Sequence, residues 1–225
     1  MTISSIHNRA VILILAGFLA VSGMVSGCKK RPRQRSLPAN AGLTGGELLF
    51  SEDFSGDLSA WTVESKNWKI KDGRLYTGNK SNKNKGTWLK DVSLPKNVRM
   101  EFEATSVKGD KPTFEGDFKF EFGGEKSEHA AGYIIILGGW KNTINTIARG
   151  DEHGKGRLAV DERFKVEEDK TYKIQVIRLN GEIKWFVDGK LLLRVKDKNP
   201  AQGGAFGFND WSSRVYFDNL RIYAL

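Results

Sequence analysis

The stretch of residues 115–122 holds the side chains best suited to chemistry, because charged residues and phenylalanines alternate along it. A period of two predicts a β-strand whose apolar face enters the core through Phe118, Phe120 and Phe122. The polar face then carries Glu115, Asp117, Lys119 and Glu121. Two carboxylates on a concave sheet are what glycoside hydrolysis needs, one to protonate the leaving oxygen and one to attack or to activate water. The alternative is an ordinary solvent-facing strand. In both cases, substitutions on the polar face should cost little stability.

A second cluster follows at residues 149–154, where glycines flank a cation, two carboxylates and an imidazole: Arg149, Asp151, Glu152 and His153. The glycines predict a loop at the end of a strand. Histidine is the side chain most readily set to exchange protons near neutral pH. His153 is therefore a candidate general acid or base beside Asp117 and Glu121. The alternative is a charged surface loop without a ligand. His129, on a loop predicted over residues 125–130, is expected to be able to approach the same groove.

Two tryptophans stand beside turn-forming residues at predicted strand ends. Trp140 follows a pair of glycines, and Trp211 follows Asn209 and an aspartate. An exposed ring in such a place can stack on the C–H face of a sugar, while neighbouring amides and carboxylates bind its hydroxyl groups. Packing at the end of the fold is the alternative for both rings. Three other tryptophans are in phase with strand alternation and are predicted core residues: Trp61, Trp68 and Trp185.

The first 46 residues predict a signal peptide followed by a flexible tether. Residues 1–27 have the pattern of a secretory signal peptide, and the tetrapeptide that ends at Cys28 resembles the lipobox of bacterial lipoproteins. Cys28, the sole cysteine, is therefore the predicted lipidation site, and an intramolecular disulfide is excluded. Residues 28–46 predict a basic, flexible tether that can lie on anionic headgroups. An uncleaved signal anchor is the alternative, because the run after Cys28 is more basic than the start of the chain.

The distribution of charge argues against a nucleic-acid partner. The chain carries a net charge of +9, but residues 1–36 contain six basic residues and no acidic one. The remaining chain holds 30 basic and 27 acidic residues, which is no strong basic surplus for a folded domain. The sequence also lacks a phosphate loop, a nucleophile elbow and a dinucleotide fingerprint. Its three histidines have no close spacing, so a catalytic zinc site is not expected.

Residues 47–225 predict one all-β domain, because apolar and polar residues alternate in many short segments separated by turns. Three dipeptides favour tight hairpin turns: Asp72-Gly73, Asn180-Gly181 and Asp188-Gly189. Hairpins are therefore expected over residues 68–76 and 171–195. The continuous apolar run over residues 133–137 predicts a central strand covered on both faces. Many antiparallel strands in about 180 residues indicate a β-sandwich or a barrel.

The two ends of this domain resemble a known superfamily. The segments over residues 49–61, 68–75 and 215–222 resemble the concanavalin A-like lectin and glucanase jelly rolls, in particular 3-keto-disaccharide hydrolase-like and LamG-like secreted bacterial domains. The resemblance implies an antiparallel sandwich with adjacent first and last strands. It also implies no cofactor beyond a structural Ca²⁺ near Asp53 and Asp218, with turn capping as the alternative role of both. Glucanases of this fold carry Glu-x-Asp-x-Glu on one strand, whereas Lys119 replaces the second glutamate here.

The leading functional prediction is a lipid-anchored protein of the bacterial cell envelope that binds a poly- or oligosaccharide in a jelly-roll groove. The first alternative is a glycan-acting hydrolase or lyase that uses Asp117, Glu121 and His153. The second is a structural or interaction lipoprotein without a small ligand. A monomer is expected. Lys29, which follows the lipidated cysteine and is not an aspartate, implies the outer membrane by the same lipoprotein resemblance.

Overall fold

The structure, a computed structural model, describes residues 42–78, 80–108 and 115–225. The predicted signal peptide, Cys28 and most of the predicted tether lie outside these residues. Across the described ranges, no helix combines the length and the apolar character that crossing a membrane requires.

Fifteen strands and two short helical segments form the described part of the chain. The strands are β1 Glu47–Glu52, β2 Trp61–Val63, β3 Lys69–Lys71, β4 Arg74–Tyr76, β5 Thr87–Leu89, β6 Val98–Ser106, β7 Phe118–Phe122, β8 Tyr133–Gly138, β9 Ile144–Arg149, β10 Arg157–Asp161, β11 Thr171–Leu179, β12 Glu182–Val187, β13 Lys190–Lys196, β14 Phe206–Asn209 and β15 Val215–Ala224. A single turn, Gly139–Asn142, follows β8, and a 3₁₀ turn, Gly154–Gly156, precedes β10.

The strands form two antiparallel sheets that pack as a sandwich, so the predicted all-β fold class is confirmed. One sheet has eight strands in the order β13-β12-β11-β6-β15-β4-β3, with β1 paired to β15. The other has seven strands in the order β10-β9-β8-β7-β14-β5-β2. The first and last strands are neighbours, with Glu47 opposite Ala224 and Glu52 opposite Leu220. The predicted adjacency of the two ends of the domain is therefore confirmed.

The predicted turn dipeptides close the hairpins β3–β4, β11–β12 and β12–β13. Both residues of each dipeptide have positive φ, for example 51° at Asn180 and 75° at Gly181. Asn, Asp and Gly accept this backbone conformation, which matches the right-handed twist of the flanking strands. The hairpin predictions are confirmed.

Aromatic side chains from both sheets fill the space between them. Phe102 of β6 contacts Phe120 of β7 with ring centroids 4.9 Å apart, and Phe208 of β14 stacks on Phe217 of β15 at 4.3 Å. Edge-to-face and offset pairs of this kind add to the burial energy of the rings. The predicted core tryptophans are buried, and so is a fourth: Trp61, Trp68, Trp185 and Trp88.

The outer face of the seven-stranded sheet is covered as well. Strands β7 and β8 are buried along their whole length, and a small cluster centred on Ile134 and Ile136 packs against Ala130 and Trp140. The prediction for residues 133–137 is confirmed. The expectation that the polar face of β7 meets solvent is wrong, because Lys119 and Glu121 are each 1% exposed. The loops that precede β8 and β10 fold back over this face and supply its polar partners.

Candidate functional site

A cavity of about 520 Å³ opens on the outer face of the seven-stranded sheet. Four segments contribute most of its lining. They are the start of β7 with the residues before it, the turn after β8, the loop after β9 and the loop after β14. The lining residues are Asn84, Glu115, Asp117, Lys119, Ile136, Gly138, Trp140, Lys141, Glu152, His153, Trp211, Ser212 and Ser213. Seven predicted site residues therefore meet at one cavity: Glu115, Asp117, Lys119, Trp140, Glu152, His153 and Trp211.

Lys119 forms the charged floor of the cavity. Its Nζ lies 2.8 Å from Oε2 of Glu152 and donates a 2.7 Å hydrogen bond to Oδ1 of Asn84. Burial opposes a charge on this lysine, but the carboxylates of Asp117, Glu152 and Glu121 outweigh burial and raise its pKa. Lys119 is therefore a buried ammonium group held by surrounding carboxylates.

Asp117 lies beside Lys119, immediately before β7, with a left-handed φ of 56°. Its Oδ2 accepts a 3.0 Å hydrogen bond from the backbone N–H of Trp211, which ties β7 to the loop after β14. The fully buried Asp210 is its neighbour. Burial raises the pKa of Asp117. Burial, and next to it the charge of Asp117, raise the pKa of Asp210 well above the usual range. The cavity wall thus holds a carboxyl group that resists ionisation.

A strained turn presents Trp140 to the cavity. Trp140, Lys141 and Asn142 all have positive φ, at 50°, 62° and 60°. Non-glycine residues adopt this conformation at a cost, and a run of three requires support from its surroundings. The Asn142 side chain supplies it, since it donates to the carbonyl of Val166 and accepts from the N–H of the same residue.

The Trp140 ring is also fixed by two cationic or ionisable neighbours. The guanidinium of Arg157 lies 4.1 Å from its ring centroid, and the imidazole of His153 meets it edge-on at 5.6 Å. Cation–π contact of this kind is favourable and holds the ring in one orientation. His153 itself is exposed, and its N–H and ring contact Asp151.

Trp211 is the most exposed large hydrophobic residue of the described chain, at 53%. Its backbone is nevertheless held on both sides. The carbonyl accepts hydrogen bonds from the N–H of Lys83 and from Oγ of Ser81, while the N–H donates to Asp117. A flat apolar ring is therefore displayed at the rim of the cavity on a fixed backbone.

Four predicted site residues do not line the cavity: Glu121, Arg149, Asp151 and Asn209. Glu121 is buried beside the cavity floor, where it binds Nδ1 of His129 at 2.7 Å and the Nδ2 of Asn209 at 2.6 Å. Asp151 is an exposed turn residue. The predicted catalytic set is thus divided, because Asp117 and His153 line the cavity and Glu121 does not.

Arg149 belongs to a separate buried network. It forms an ion pair with Asp197 at 2.7 Å, and the Tyr133 hydroxyl donates to the same carboxylate at 2.8 Å. Burial alone would raise the pKa of Asp197. The N–H of Asn199 and the Arg149 and Tyr133 donors outweigh it and lower that pKa. Burial and the bond to Asp197 raise the pKa of Tyr133 to about 12. The ion pair explains Arg149 without a ligand.

Sequence reasoning missed Asp210, Asn84 and Lys141. Asp210 stands in the quoted segment Asn209–Trp211, so its position was visible, but its contact with Asp117 spans 93 residues of chain. Asn84 falls in a lysine-rich loop without alternation, and no local pattern connects it with Lys119.

The predicted calcium ligands are near neighbours, Asp53 directly after β1 and Asp218 on β15, but each accepts hydrogen bonds from its own turn. Asp53 accepts hydrogen bonds from the N–H and Oγ of Ser55, and Asp218 accepts one from the N–H of Asn219. Over the described ranges of the chain, no group of three or more His, Cys, Asp or Glu side chains is placed to hold a metal ion. The geometry agrees with turn capping, and the calcium site stays a prediction.

Two sequence comparisons find partial matches to this chain. Residues 125–220 match a family model described as a domain of unknown function, DUF6250. An extracellular exo-alpha-L-arabinofuranosidase of Streptomyces chartreusis is 28% identical over 158 residues, which make up 70% of this chain. The match covers 18% of that enzyme's length.

Solved structures share the architecture at low sequence identity. The VIP36 exoplasmic/lumenal domain in its Ca²⁺/Man-bound form superposes with a TM-score of 0.63 at 12% identity, over 80% of this chain and 92% of that one. A Bacillus subtilis protein of unknown function with a galectin-like fold superposes with a TM-score of 0.62 at 12% identity, over 80% of this chain and 97% of that one. A prokaryotic beta-1,3-1,4-glucanase from a mouse hindgut metagenome superposes with a TM-score of 0.57 at 17% identity, over 78% of this chain and 99% of that one. The chain therefore has the jelly-roll fold shared by galectin-like and concanavalin A-like lectins and glucanases.

Proposed function

We propose that this protein binds carbohydrate in the cavity on the outer face of its seven-stranded sheet. The observation that carries the proposal is the pairing of an exposed, backbone-fixed Trp211 ring with buried polar groups at the cavity floor. A sugar has an apolar C–H face and a polar edge, so a flat ring and convergent hydrogen-bonding groups suit it. A volume of about 520 Å³ lies within the usual range for ligand pockets.

The polar groups at the floor are preorganised. Lys119 and Glu152 are already paired, and Asn84 is held by Lys119, so binding orders few side chains. Trp140 is fixed from both sides in the same way. The printed names of related proteins support a sugar ligand: an arabinofuranosidase, a Man-bound lumenal domain, a carbohydrate binding module from Bacillus subtilis and a glucanase.

A glycan array followed by calorimetry tests the proposal. Arabinan, β-glucan and mucin-type oligosaccharides should be included, because they represent the related proteins' names. Trp211→Ala should weaken binding of the best-bound glycan by about tenfold or more, which corresponds to about 1.4 kcal/mol. Leu48→Ala removes a comparably exposed side chain from β1 and should leave affinity unchanged. Absence of any glycan binding by the wild-type protein would favour a structural lipoprotein without a small ligand.

A glycan-acting enzyme is the second candidate, favoured by the raised pKa of Asp117 at the cavity wall. A raised pKa favours the protonated form of a carboxyl group, which is the form that acts as a general acid. Glu152 and His153 are the other ionisable groups of the lining that such a reaction could use. Release of reducing sugar from a bound oligosaccharide, lost in Asp117→Asn while affinity is retained, would establish turnover and replace the binding role with catalysis.

Lipid anchoring in the cell envelope belongs to the same proposal. Its support is the sequence around Cys28, with small residues before the sole cysteine and a basic run after it. The wild-type protein should incorporate radiolabelled fatty acid in a bacterial host and sediment with the outer membrane. Cys28→Ser should remove the label. An unlabelled wild-type protein would contradict the anchor and would leave the carbohydrate proposal untouched.

A further inference from the structure

Positive charge is concentrated in one segment of the folded domain. Residues 66–85 carry seven basic residues and one acidic residue, Asp72, whereas the rest of residues 37–225 carries 23 basic and 26 acidic residues. We call the seven cations the basic band: Lys66, Lys69, Lys71, Arg74, Lys80, Lys83 and Lys85. Six of them are exposed and Arg74 is half-buried. Within the part of the chain that the structure describes, none of the seven forms an ion pair with a carboxylate.

Three cations of the band are ordered on an aromatic platform. Tyr76 of β4 and Tyr216 of β15 stack with ring centroids 4.6 Å apart on the outer face of the eight-stranded sheet. Arg74 lies 4.0 Å from the Tyr216 centroid, and Lys71 lies 5.1 Å from that of Tyr76. Lys69 also lies over Tyr76, at 5.9 Å. Cation–π contacts limit the conformations of these side chains while leaving their charges at the surface.

The other part of the band, Lys80, Lys83 and Lys85, lies in the loop that carries Asn84, a residue of the cavity lining. Asn67 donates from Nδ2 to the carbonyls of Lys80 and Ser81, which joins the hairpin side of the band to the loop over residues 80–85. In that loop the N–H of Lys83 donates to the carbonyl of Trp211, and the next residue, Asn84, lines the cavity. Basic residues therefore lie both on the β3–β4 hairpin and in the loop that binds the backbone of Trp211 at the rim of the cavity.

We propose that the ligand of the cavity is an anionic polysaccharide, one that bears carboxylate or sulfate groups along its chain, and that the basic band binds the part outside the cavity. This inference rests on the proposed function and adds the substrate class. A neutral sugar would use the cavity alone and would leave unused the seven cations, none of which pairs with a carboxylate among the described residues. A polyanion gains from them because exposed charges interact over a Debye length of about 8 Å at physiological ionic strength.

Continuity with the cavity favours a polysaccharide over other polyanions. Nucleic acid or an anionic bilayer would need the charges alone, and the display of Trp211 on the neighbouring β14–β15 loop would be incidental. A glycan chain uses both, since one unit stacks at the rim and its charged neighbours meet Lys80, Lys83 and Lys85. The proposal therefore predicts that ring and band act together on one ligand.

Calorimetry with matched pairs of glycans tests the proposal. The probes are polygalacturonate with its methyl ester, and dextran sulfate with dextran, so that each pair differs in charge and shares a backbone. The variant carries Lys80→Gln, Lys83→Gln and Lys85→Gln. The control carries Lys190→Gln, Arg194→Gln and Lys198→Gln, which remove the same charge from exposed positions around β13. Surface changes of this kind should leave stability within about 0.5 kcal/mol.

The wild-type protein should bind at least one anionic member about tenfold or more tightly than its neutral partner, and salt should reduce the difference. The band variant should lose most of this preference, the control should keep it, and Trp211→Ala should weaken the same complex. Equal affinity for charged and neutral members would overturn the inference while leaving carbohydrate binding intact. Equally tight binding to a DNA duplex or to phosphatidylglycerol vesicles, unaffected by Trp211→Ala, would also overturn it. Failure to bind any glycan on the array would instead refute the proposed function.

Discussion

Two buried carboxylate networks in this sandwich have opposite electrostatic character. At one, Asp197 receives hydrogen bonds from Arg149, Tyr133 and the backbone of Asn199, and its pKa is lowered. At the other, Asp117 and Asp210 lie together at the cavity and their pKa values are raised. Both networks are largely shielded from water. Donors therefore outweigh burial at the first network, and burial outweighs donors at the second.

The contrast separates structure from function. A carboxylate whose oxygens are fully paired stabilises the fold and offers nothing to a ligand. The carboxyl pair of Asp117 and Asp210 instead places a group with a raised pKa, Asp117, in the lining of an open cavity. Shifted pKa values from burial at a cavity are a known property of functional sites, whereas the lowered pKa of Asp197 follows from an ordinary ion pair.

Removal of the cavity lysine should have the largest effect on folding. Lys119→Ala leaves Glu152 and Asp117 without their buried cation, and a broken buried pair typically costs about 3–5 kcal/mol. Chemical denaturation should show this loss. The double variant Lys119→Met, Glu152→Gln removes both charges and should recover part of it. A loss below about 0.5 kcal/mol in Lys119→Ala would mean that the lysine reaches solvent.

The structural network should respond nearly as strongly. Asp197→Ala leaves the Arg149 guanidinium and the Tyr133 hydroxyl without their shared acceptor. We expect the free energy of unfolding to fall by about 3 kcal/mol. Glycan affinity should be unchanged, because Asp197 does not line the cavity. Asp151→Ala, which removes an exposed turn carboxylate, is the matched control. Loss of binding in a folded Asp197→Ala protein would show that the two networks are coupled.

The pH dependence of stability should differ in sign between the networks. Because the folded pKa of Asp210 is raised, its contribution to stability is fully present below the ordinary aspartate pKa of 3.8 and is lost as pH rises through the folded pKa. Because the folded pKa of Asp197 is lowered, its contribution to stability is present above pH 3.8 and is lost as pH falls through the folded pKa.

Asparagine variants of the two residues make the sign measurable. Relative to wild type, Asp210→Asn should gain stability as pH rises from about 4 to 8, because the amide has no charge to bury when the wild-type carboxyl would ionise. Asp197→Asn should lose stability relative to wild type as pH rises from about 2 to 5, because the wild-type carboxylate gains its stabilising charge over that window. Thermal unfolding in matched buffers gives both differences. Parallel curves for the two variants would contradict the assigned directions.

The fold was largely predictable from sequence, because its determinants are local. Alternation placed Phe118, Phe120 and Phe122 in the core, and Asn-Gly and Asp-Gly dipeptides marked hairpins. Alternation tells which face of β7 a side chain occupies, but it does not tell what covers that face. Lys119 and Glu121 were expected at the surface because the covering residues, Glu152 and His129, come from other loops.

The sequence predicted which residue types belong to the site better than it predicted how they are arranged. Trp140, Trp211 and His153 were singled out by residue type and flanking turns, and the structure brings them to one cavity. Glu121 and Arg149 had equally suitable chemistry, yet long-range contacts assign them to buried pairs. Burial, which decides between these outcomes, depends on loop packing across the sheet.

The six tryptophan indole N–H signals in a ¹⁵N correlation spectrum test the central claim most directly. During titration with the oligosaccharide that the array ranks first, the Trp211 signal should shift most, followed by that of Trp140. The signals of the core tryptophans Trp61, Trp68 and Trp185 should stay in place, because their rings are buried between the sheets. Saturable shifts confined to the two cavity tryptophans would support the site. Saturable binding that leaves both signals unmoved would place the ligand elsewhere and contradict the account.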